Sequence, residues 1–383
     1  MRVLLVSDLY PPMVGGVPTV VRTLAVGLAD RGHQVHVLAP SPSRRGVLAG
    51  GGDLTEHLVP SLPWPLYEGF RQVLPTARIA EVVRASAPDV VHVHSPLTTG
   101  EVVQRSARRR RVPVVATNHY LPVNALRSLS PDGVLARAFS RAFYCHLLRF
   151  YGRCDLVTAP TGTALQLLRR RGLDAWSEVV SGGVDLSRFA PGPPDEALRA
   201  RLGLPCGRPL LVSVVRLSGE KRVDLVVDAL QHLPRGPHLA VASTGPELGR
   251  LRAQVHRLRL DADVTFVGHV PGEDLPGLYR LADAFVVASE AELQSLATLE
   301  ALACGVPVVA ADAGALPELV RHGVNGLLFR PRDSTALAGA VAAVVAAPRA
   351  LAGAARASVG HHERERVVRR WEELYGRAAA RPR

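Results

Sequence analysis

Short apolar, β-branched runs alternate with helix-patterned stretches along the whole chain, and that alternation restarts once. In the first half the predicted strands are Val3–Ser7, Val35–Ala39, Val90–His94, Val114–Thr117, Leu156–Ala159 and Glu178–Ser181. After the Pro/Gly-rich stretch Ala190-Pro-Gly-Pro-Pro-Asp195 come Leu210–Val215, Leu239–Ser243, Val264–Val267, Ala284–Ala288 and Val306–Ala310. Strands that are apolar throughout, with helices between them, belong to parallel sheets covered on both faces. A chain of 383 residues suits two such domains, each of roughly 150–200 residues. The expected fold is therefore α/β, with two Rossmann-like parallel-sheet domains facing across a cleft. The first spans 1–190 and the second 191–362, with a charged helix over 363–383 packing back on the first. Ligands of such sheets sit beyond the carboxyl ends of the strands, so the residues after each strand carry the functional reading.

Composition narrows the partners. Hydrophobic residues make up 47% and charged residues 21%, enough for sizeable cores. The net charge is +12, and +8 of it falls in residues 1–185. A basic first half suits phosphorylated ligands or an anionic membrane surface. Nucleic acid is excluded as the main partner, because aromatics are only 5% and no stacking motif interleaves with the arginines. Cys145, Cys154, Cys206 and Cys304 form no CxxC pair, which points to reduced thiols. With no signal peptide in the pattern and no apolar run longer than Ser334–Pro348, the expected location is cytoplasmic and at most peripheral to the membrane. That run reads as a helix capped by Ser334.

Among 46 Lys and Arg residues, Lys221 is the single lysine. It follows the strand ending at Val215 and reads either as a chance survivor on a helix surface or as an ammonium for a phosphate cradle too narrow for a guanidinium. Gly15-Gly16 follows the first strand and precedes a helix, so backbone N–H groups there can approach an anion. It lacks the spacing of a dinucleotide fingerprint. His119, in Asn118-His119-Tyr120, ends the fourth strand and reads either as an active-site hydrogen-bond donor or as a structural residue. His92 and His94 are expected to point away from each other, which excludes joint chelation. No metal site is expected.

The densest constellation runs from Ala288 to Ala310: a strand end, an acidic loop with Glu290 and Glu292, and a helix carrying Glu300 within the apolar run Leu296–Ala303. A buried carboxylate there needs a partner, and sugar hydroxyls would serve. Glu292-x7-Glu300 followed by Ala-x-Ala-Cys-Gly-Val-Pro-Val-Val resembles the donor-site signature of the retaining family 4 glycosyltransferases, which have the two-domain GT-B fold. The likeness covers essentially the whole chain. Gly15-Gly16, His119, Ser181-Gly-Gly-Val-Asp185 with Phe189, Arg216 with Lys221, Thr244-Gly-Pro-Glu247 and Gly268 follow in family order. Within the family the chain resembles the glycolipid-forming glucosyl- and mannosyltransferases of bacteria.

That resemblance implies a set of roles. Arg216 and Lys221 clamp the donor diphosphate and stabilise the leaving group in place of a metal. Glu300 holds the nucleotide ribose. Glu292, with the backbone of Leu293, Gln294, Ser295 and Leu296, holds the sugar's C3 and C4 hydroxyls. Gly15 and Gly16 approach the phosphates, His119 meets the sugar's C6 hydroxyl, and the main chain near Val270 reads the base. No cofactor is implied, since the nucleotide sugar is a substrate. Three departures stand out: Gln294-Ser295 replaces the usual Phe-Gly, Val215 replaces the usual Gly before Arg216, and Ser243-Thr244-Gly245-Pro246 replaces Gly-Asp-Gly-Pro.

The acceptor is expected on the first domain. Between Leu126 and Arg153, Leu, Phe and Tyr alternate with Arg127, Arg137, Arg141, Arg149 and Arg153. This is either a surface that rests on an anionic bilayer or a core helix with arginines outward. The first favours a lipid acceptor such as a diacylglycerol or a phosphoinositide. The second favours a soluble sugar, inositol phosphate or secondary metabolite. From other classes, a nucleotide-sugar epimerase would need further cleft carboxylates and no acceptor. A non-catalytic nucleotide-sugar binding protein would have no use for the full set of Arg216, Lys221, Glu292, Glu300 and His119.

Overall fold

The computed structural model describes residues 1–41, 47–63, 71–74, 77–122, 133–234 and 236–381. Two compact units form: Met1–Gly183 with Arg364–Arg383, and Val184–Glu363. The stretch Ala190–Asp195 lies inside the second.

In the first unit, β1 (Arg2–Val6), β2 (Gln34–Ser41), β3 (Val47–Gly51), β4 (Leu54–Pro63), β5 (Arg71–Val73), β6 (Val90–Val93), β7 (Val114–Thr117), β8 (Leu156–Ala159) and β9 (Ser177–Val179) form one sheet. Its order is β3-β4-β2-β1-β6-β7-β8-β9, with β5 on β4. The pairings are parallel except for the hairpin-like β3–β4 and β4–β5. Strand order reverses between β1 and β6, which makes their carboxyl ends the switch point. The strands β3–β5 have no counterpart in the sequence reading, because Gly and charged residues interrupt their apolar pattern.

Val3, Leu5, Val35, Val37, Val90 and Val115 pack on one face against the helices Gly16–Ala29 and Arg364–Ala380, the latter contributing Trp371, Leu374 and Tyr375. The two helices touch closely at Gly27, where an added Cβ would lie 2.7 Å from Val368 Cγ2. A larger residue there would force them apart.

The second unit is a parallel sheet of β10 (Leu210–Val214), β11 (His238–Ala242), β12 (Val264–Gly268), β13 (Ala284–Val287), β14 (Val308–Ala311) and β15 (Gly326–Phe329), ordered β12-β11-β10-β13-β14-β15. Its switch point lies between β10 and β13. Leu211, Val212, Leu239, Ala240, Phe285 and Val309 are buried from both sides, as the unbroken apolar runs require. The helix after β15 starts at Ser334, but its cap is Asp333, whose carboxylate accepts from Ala336 N at 2.8 Å. Asp333 outcompetes the expected Ser334 because its charged side chain reaches the third N–H of the first turn.

Candidate active site

In the second unit the loops after β10 and β13 meet at the switch point. Lys221 Nζ donates to Glu292 Oε1 at 2.6 Å, joining the two residues expected at the diphosphate and the sugar. Both are mostly buried, with side chains 20% and 10% exposed. Ser218 Oγ donates to Glu220 Oε1 at 2.6 Å, and Ser289 Oγ donates to the Glu220 carbonyl at 3.2 Å, tying the same two loops again. Arg222, in a left-handed conformation at φ 52°, bonds Glu290 and Asp224, and Arg332 bonds Glu290 from another loop. The charges of this corner are therefore cross-linked in pairs before any ligand arrives.

Arg216 is half-buried at the start of the β10 loop. The loop is braced by residues 243–247, since Leu217 N donates to the Thr244 carbonyl and Glu247 N donates to the Leu217 carbonyl. A Cβ at Gly245 would overlap the Leu217 backbone. Glycine is thus retained where the two backbones touch, although the first two positions of the family turn are altered. Ser243 takes up the cost, at φ 133°, a region rarely populated without glycine.

Glu292 is positioned through its main chain as well. Its carbonyl accepts from Ala315 N at 3.1 Å, and Gly314, at φ 56°, lies so close that a Cβ would meet that carbonyl at 3.0 Å. Leu293 is buried, Gln294 follows, and Ser295 is the N-cap of the helix Leu296–Ala303. Its hydroxyl accepts from Thr298 N at 3.3 Å, so the Ser295 side chain serves the helix.

Glu300 has the partner that the apolar run demands, and it is a protein group: Tyr279 OH donates to Glu300 Oε2 at 2.7 Å. Burial nevertheless pushes the Glu300 carboxyl up to about 7, against the pull of that hydrogen bond. Val270 is buried just beyond β12, past Gly268 at φ 75°.

The first unit gathers a different set of strand-end residues. Gly15 caps the helix that begins at Gly16, both glycines are exposed, and no acidic residue occupies its first turn. Asp8, after β1, donates its N–H to Ser95 Oγ and accepts at Oδ1 from Thr99 Oγ1, while Oδ2 is buried without a partner among the described residues. Burial lifts its carboxyl to about 7. His119 lies against His94, with His94 Nδ1 and His119 Nε2 3.0 Å apart. Burial pushes His119 down to about 4, so it is neutral near pH 7.

His92 and His94 do not point apart. Alternate residues of a strand share a face, and these two rings lie against each other, tilted, with centroids 3.9 Å apart. His92 is held by Tyr375 OH at Nδ1 and by Thr117 Oγ1 at Nε2, both at 2.7 Å.

Tyr279, Glu290, Asp8 and His94 are the residues of these clusters to which the sequence reading gives no role. Their signal is placement at or beyond strand ends, or opposite a buried carboxylate, visible only once the sheet order is known.

Two Rossmann-like sheet units, with charged loops at the switch point of the second, are the components of the GT-B fold. The profile described as Glycosyltransferase Family 4 matches residues 14–188, and that described as Glycosyl transferases group 1 matches residues 194–358. The chain is similar to a GDP-mannose-dependent alpha-mannosyltransferase of Mycolicibacterium smegmatis, 33% identical over 94% of this chain and 92% of that one. It is also similar to an alpha-monoglucosyldiacylglycerol synthase of Streptococcus pneumoniae, 29% identical over 91% and 79%. Sucrose-phosphate synthase from Thermosynechococcus elongatus shares the fold, with a TM-score of 0.82 at 22% identity over 98% of each chain. The chain belongs to glycosyltransferase family 4.

Proposed function

We propose that this glycosyltransferase is a retaining, metal-independent enzyme that moves a hexose from a nucleotide diphospho-sugar, of UDP-glucose or GDP-mannose type, to a hydroxyl of a membrane lipid. The observation that carries the reading is the Lys221–Glu292 pair bridging the loops after β10 and β13. An ammonium fixed by a carboxylate at a switch point is oriented in advance for a diphosphate. With Arg216, it would stabilise the charge that develops on the leaving phosphate, where preorganised donors contribute most. Glu300 would take the ribose hydroxyls, Glu292 and the backbone from Leu293 to Leu296 the sugar hydroxyls, Gly15 and Gly16 the phosphates, and Val270 the base. In that role Glu300 would exchange or share its bond to Tyr279.

A covalent glycosyl-enzyme route is disfavoured by the groups available. Glu292 is committed to Lys221 and Glu300 to Tyr279, so neither matches the nucleophile of a two-carboxylate glycosidase. The acceptor hydroxyl would attack on the face the phosphate leaves. The bond from C1 to the phosphate oxygen breaks, the bond from C1 to the acceptor oxygen forms, and the acceptor's proton passes to that phosphate oxygen. Metal independence is supported by the cations, since Arg216 and Lys221 supply the positive charge. Among the described residues, no group of three His, Cys, Asp or Glu side chains is arranged to hold a metal ion.

The lipid acceptor is supported by the helix Val134–Tyr151. The part of the arginine-rich pattern through residue 132, with Arg127, lies outside the described residues. Within the helix, Val134 and Leu135 are exposed, as are Ala138, Ala142, Arg137, Arg141 and Arg149, and it contains no acidic residue. An apolar outer face flanked by arginines suits the interface of an anionic bilayer. Among the described residues no single helix is long and apolar enough to cross a membrane, and the contact proposed for this helix is peripheral. The name of the S. pneumoniae relative, a diacylglycerol glycoside synthase, agrees with this reading.

The test is transfer from labelled UDP-glucose and GDP-mannose, in a chelator, to diacylglycerol or phosphoinositide in anionic vesicles. A glycolipid with the donor's anomeric configuration is expected. Transfer only to soluble hydroxyl compounds would remove the lipid acceptor, and an inverted product would remove the mechanism.

A further inference from the structure

We propose that His94 sets the tautomer of His119, so that His119 acts as a hydrogen-bond donor through Nδ1. His94 Nδ1 and His119 Nε2 are 3.0 Å apart at the ends of adjacent strands, with His94 buried and His119 partly buried. Burial holds both imidazoles neutral near pH 7. One proton therefore lies between two nitrogens, and either ring can own it.

The far side of His94 decides the question. Its Nε2 is buried, with no hydrogen-bond partner among the described residues. If His119 owned the shared proton, His94 would have to carry its own at Nε2, as a buried N–H donating to nothing. If His94 owns it at Nδ1, its Nε2 is a bare lone pair. Orphaned buried N–H groups are rarer and costlier than under-used acceptors. His94 is thus the Nδ1–H donor, His119 Nε2 accepts, and the proton of His119 is driven to Nδ1. A hydrogen bond to one ring nitrogen fixes which nitrogen a histidine presents on its other side. His92, packed against His94 and bonded at both its nitrogens, leaves the His94 ring little room to turn. His94 is a positioning residue, and the chemistry at Nδ1 of His119 is donation to an oxygen lone pair, as a sugar hydroxyl or phosphate offers.

The functional consequence rests on the proposed contact of His119 with the donor sugar, whereas the tautomer does not. Long-range 1H–15N correlation on the full chain, labelled at histidine nitrogen, reads each ring's tautomer directly, and loss of one spin system in His119→Gln assigns the signal. The expected result is His119 protonated at Nδ1 in the wild type, Nε2–H in His94→Phe, and Nδ1–H again in His94→Gln, whose amide restores a donor. An Nε2–H form of His119 in the wild type overturns the proposal whether or not the variants fold. So does an unchanged Nδ1–H form in His94→Phe. An Nδ1–H wild type with undiminished transfer by His119→Ala would uphold the tautomer and remove His119 from the donor site.

Discussion

The two strand-end clusters of this chain solve opposite problems. At the second unit's switch point the polar side chains are charged and paired: Lys221 with Glu292, Arg222 and Arg332 with Glu290. At the first unit's strand ends they are buried and driven neutral, with His92, His94 and His119 pushed down and Asp8 pushed up. The difference teaches that only the first kind of cluster can hold a diphosphate by charge. The second can act only through hydrogen bonds of fixed direction. Glu300 stands between the two, a carboxyl in the charged unit whose burial lifts it to about 7.

The sharpest way to break this contrast is Lys221→Ala. Removing a preorganised donor to a developing charge should lower kcat/KM by roughly 10²–10³-fold, read by steady-state transfer, with the thermal transition retained. A loss below tenfold would place the diphosphate elsewhere.

Next in size is Asp8→Asn, read as stability against pH. The native carboxyl is raised from 3.8 to about 7, so between those values the folded chain keeps a proton that the unfolded chain releases. Stability should therefore fall as pH rises through that window. The loss should reach up to roughly 4 kcal/mol, because each pH unit crossed there costs about 1.36 kcal/mol. Asparagine should flatten that difference in urea titrations at pH 4 and 7. A wild-type-like slope would mean that Asp8 is ionised and the first cluster is not neutral.

Glu300→Ala should weaken nucleotide binding about 10–100-fold, the worth of hydrogen bonds to a charged group. Calorimetry at pH 8, where the carboxylate predominates, should show a larger deficit than at pH 6. The smallest effect is expected from His119→Ala, about tenfold or less in kcat, because a neutral donor is worth roughly 0.5–1.5 kcal/mol. A loss matching that of Lys221→Ala would show that the first unit also works by charge.

The architecture is legible in the sequence because parallel strands buried on both faces leave continuous apolar runs, as in Val3–Val6 and Leu210–Val214. The places of Lys221, Glu292 and Glu300 follow from strand ends and from the resemblance. What the sequence hides are pairings across long separations. Tyr279 answers Glu300, and Glu292 answers Lys221 from another strand. Tyr375, on the last helix, anchors His92. The face shared by His92 and His94 runs against the sequence expectation, although the period-two geometry of a strand contains it. The strands β3–β5, which extend the sheet beyond β2, escape for a different reason, since Gly and charged residues interrupt their apolar pattern.

The most direct measurement is calorimetric titration of the chain with UDP and with GDP in a chelator, alongside Lys221→Ala. The account predicts micromolar binding of one nucleotide by the wild type, lost in the variant. Binding of neither, or equal binding by both proteins, would contradict it.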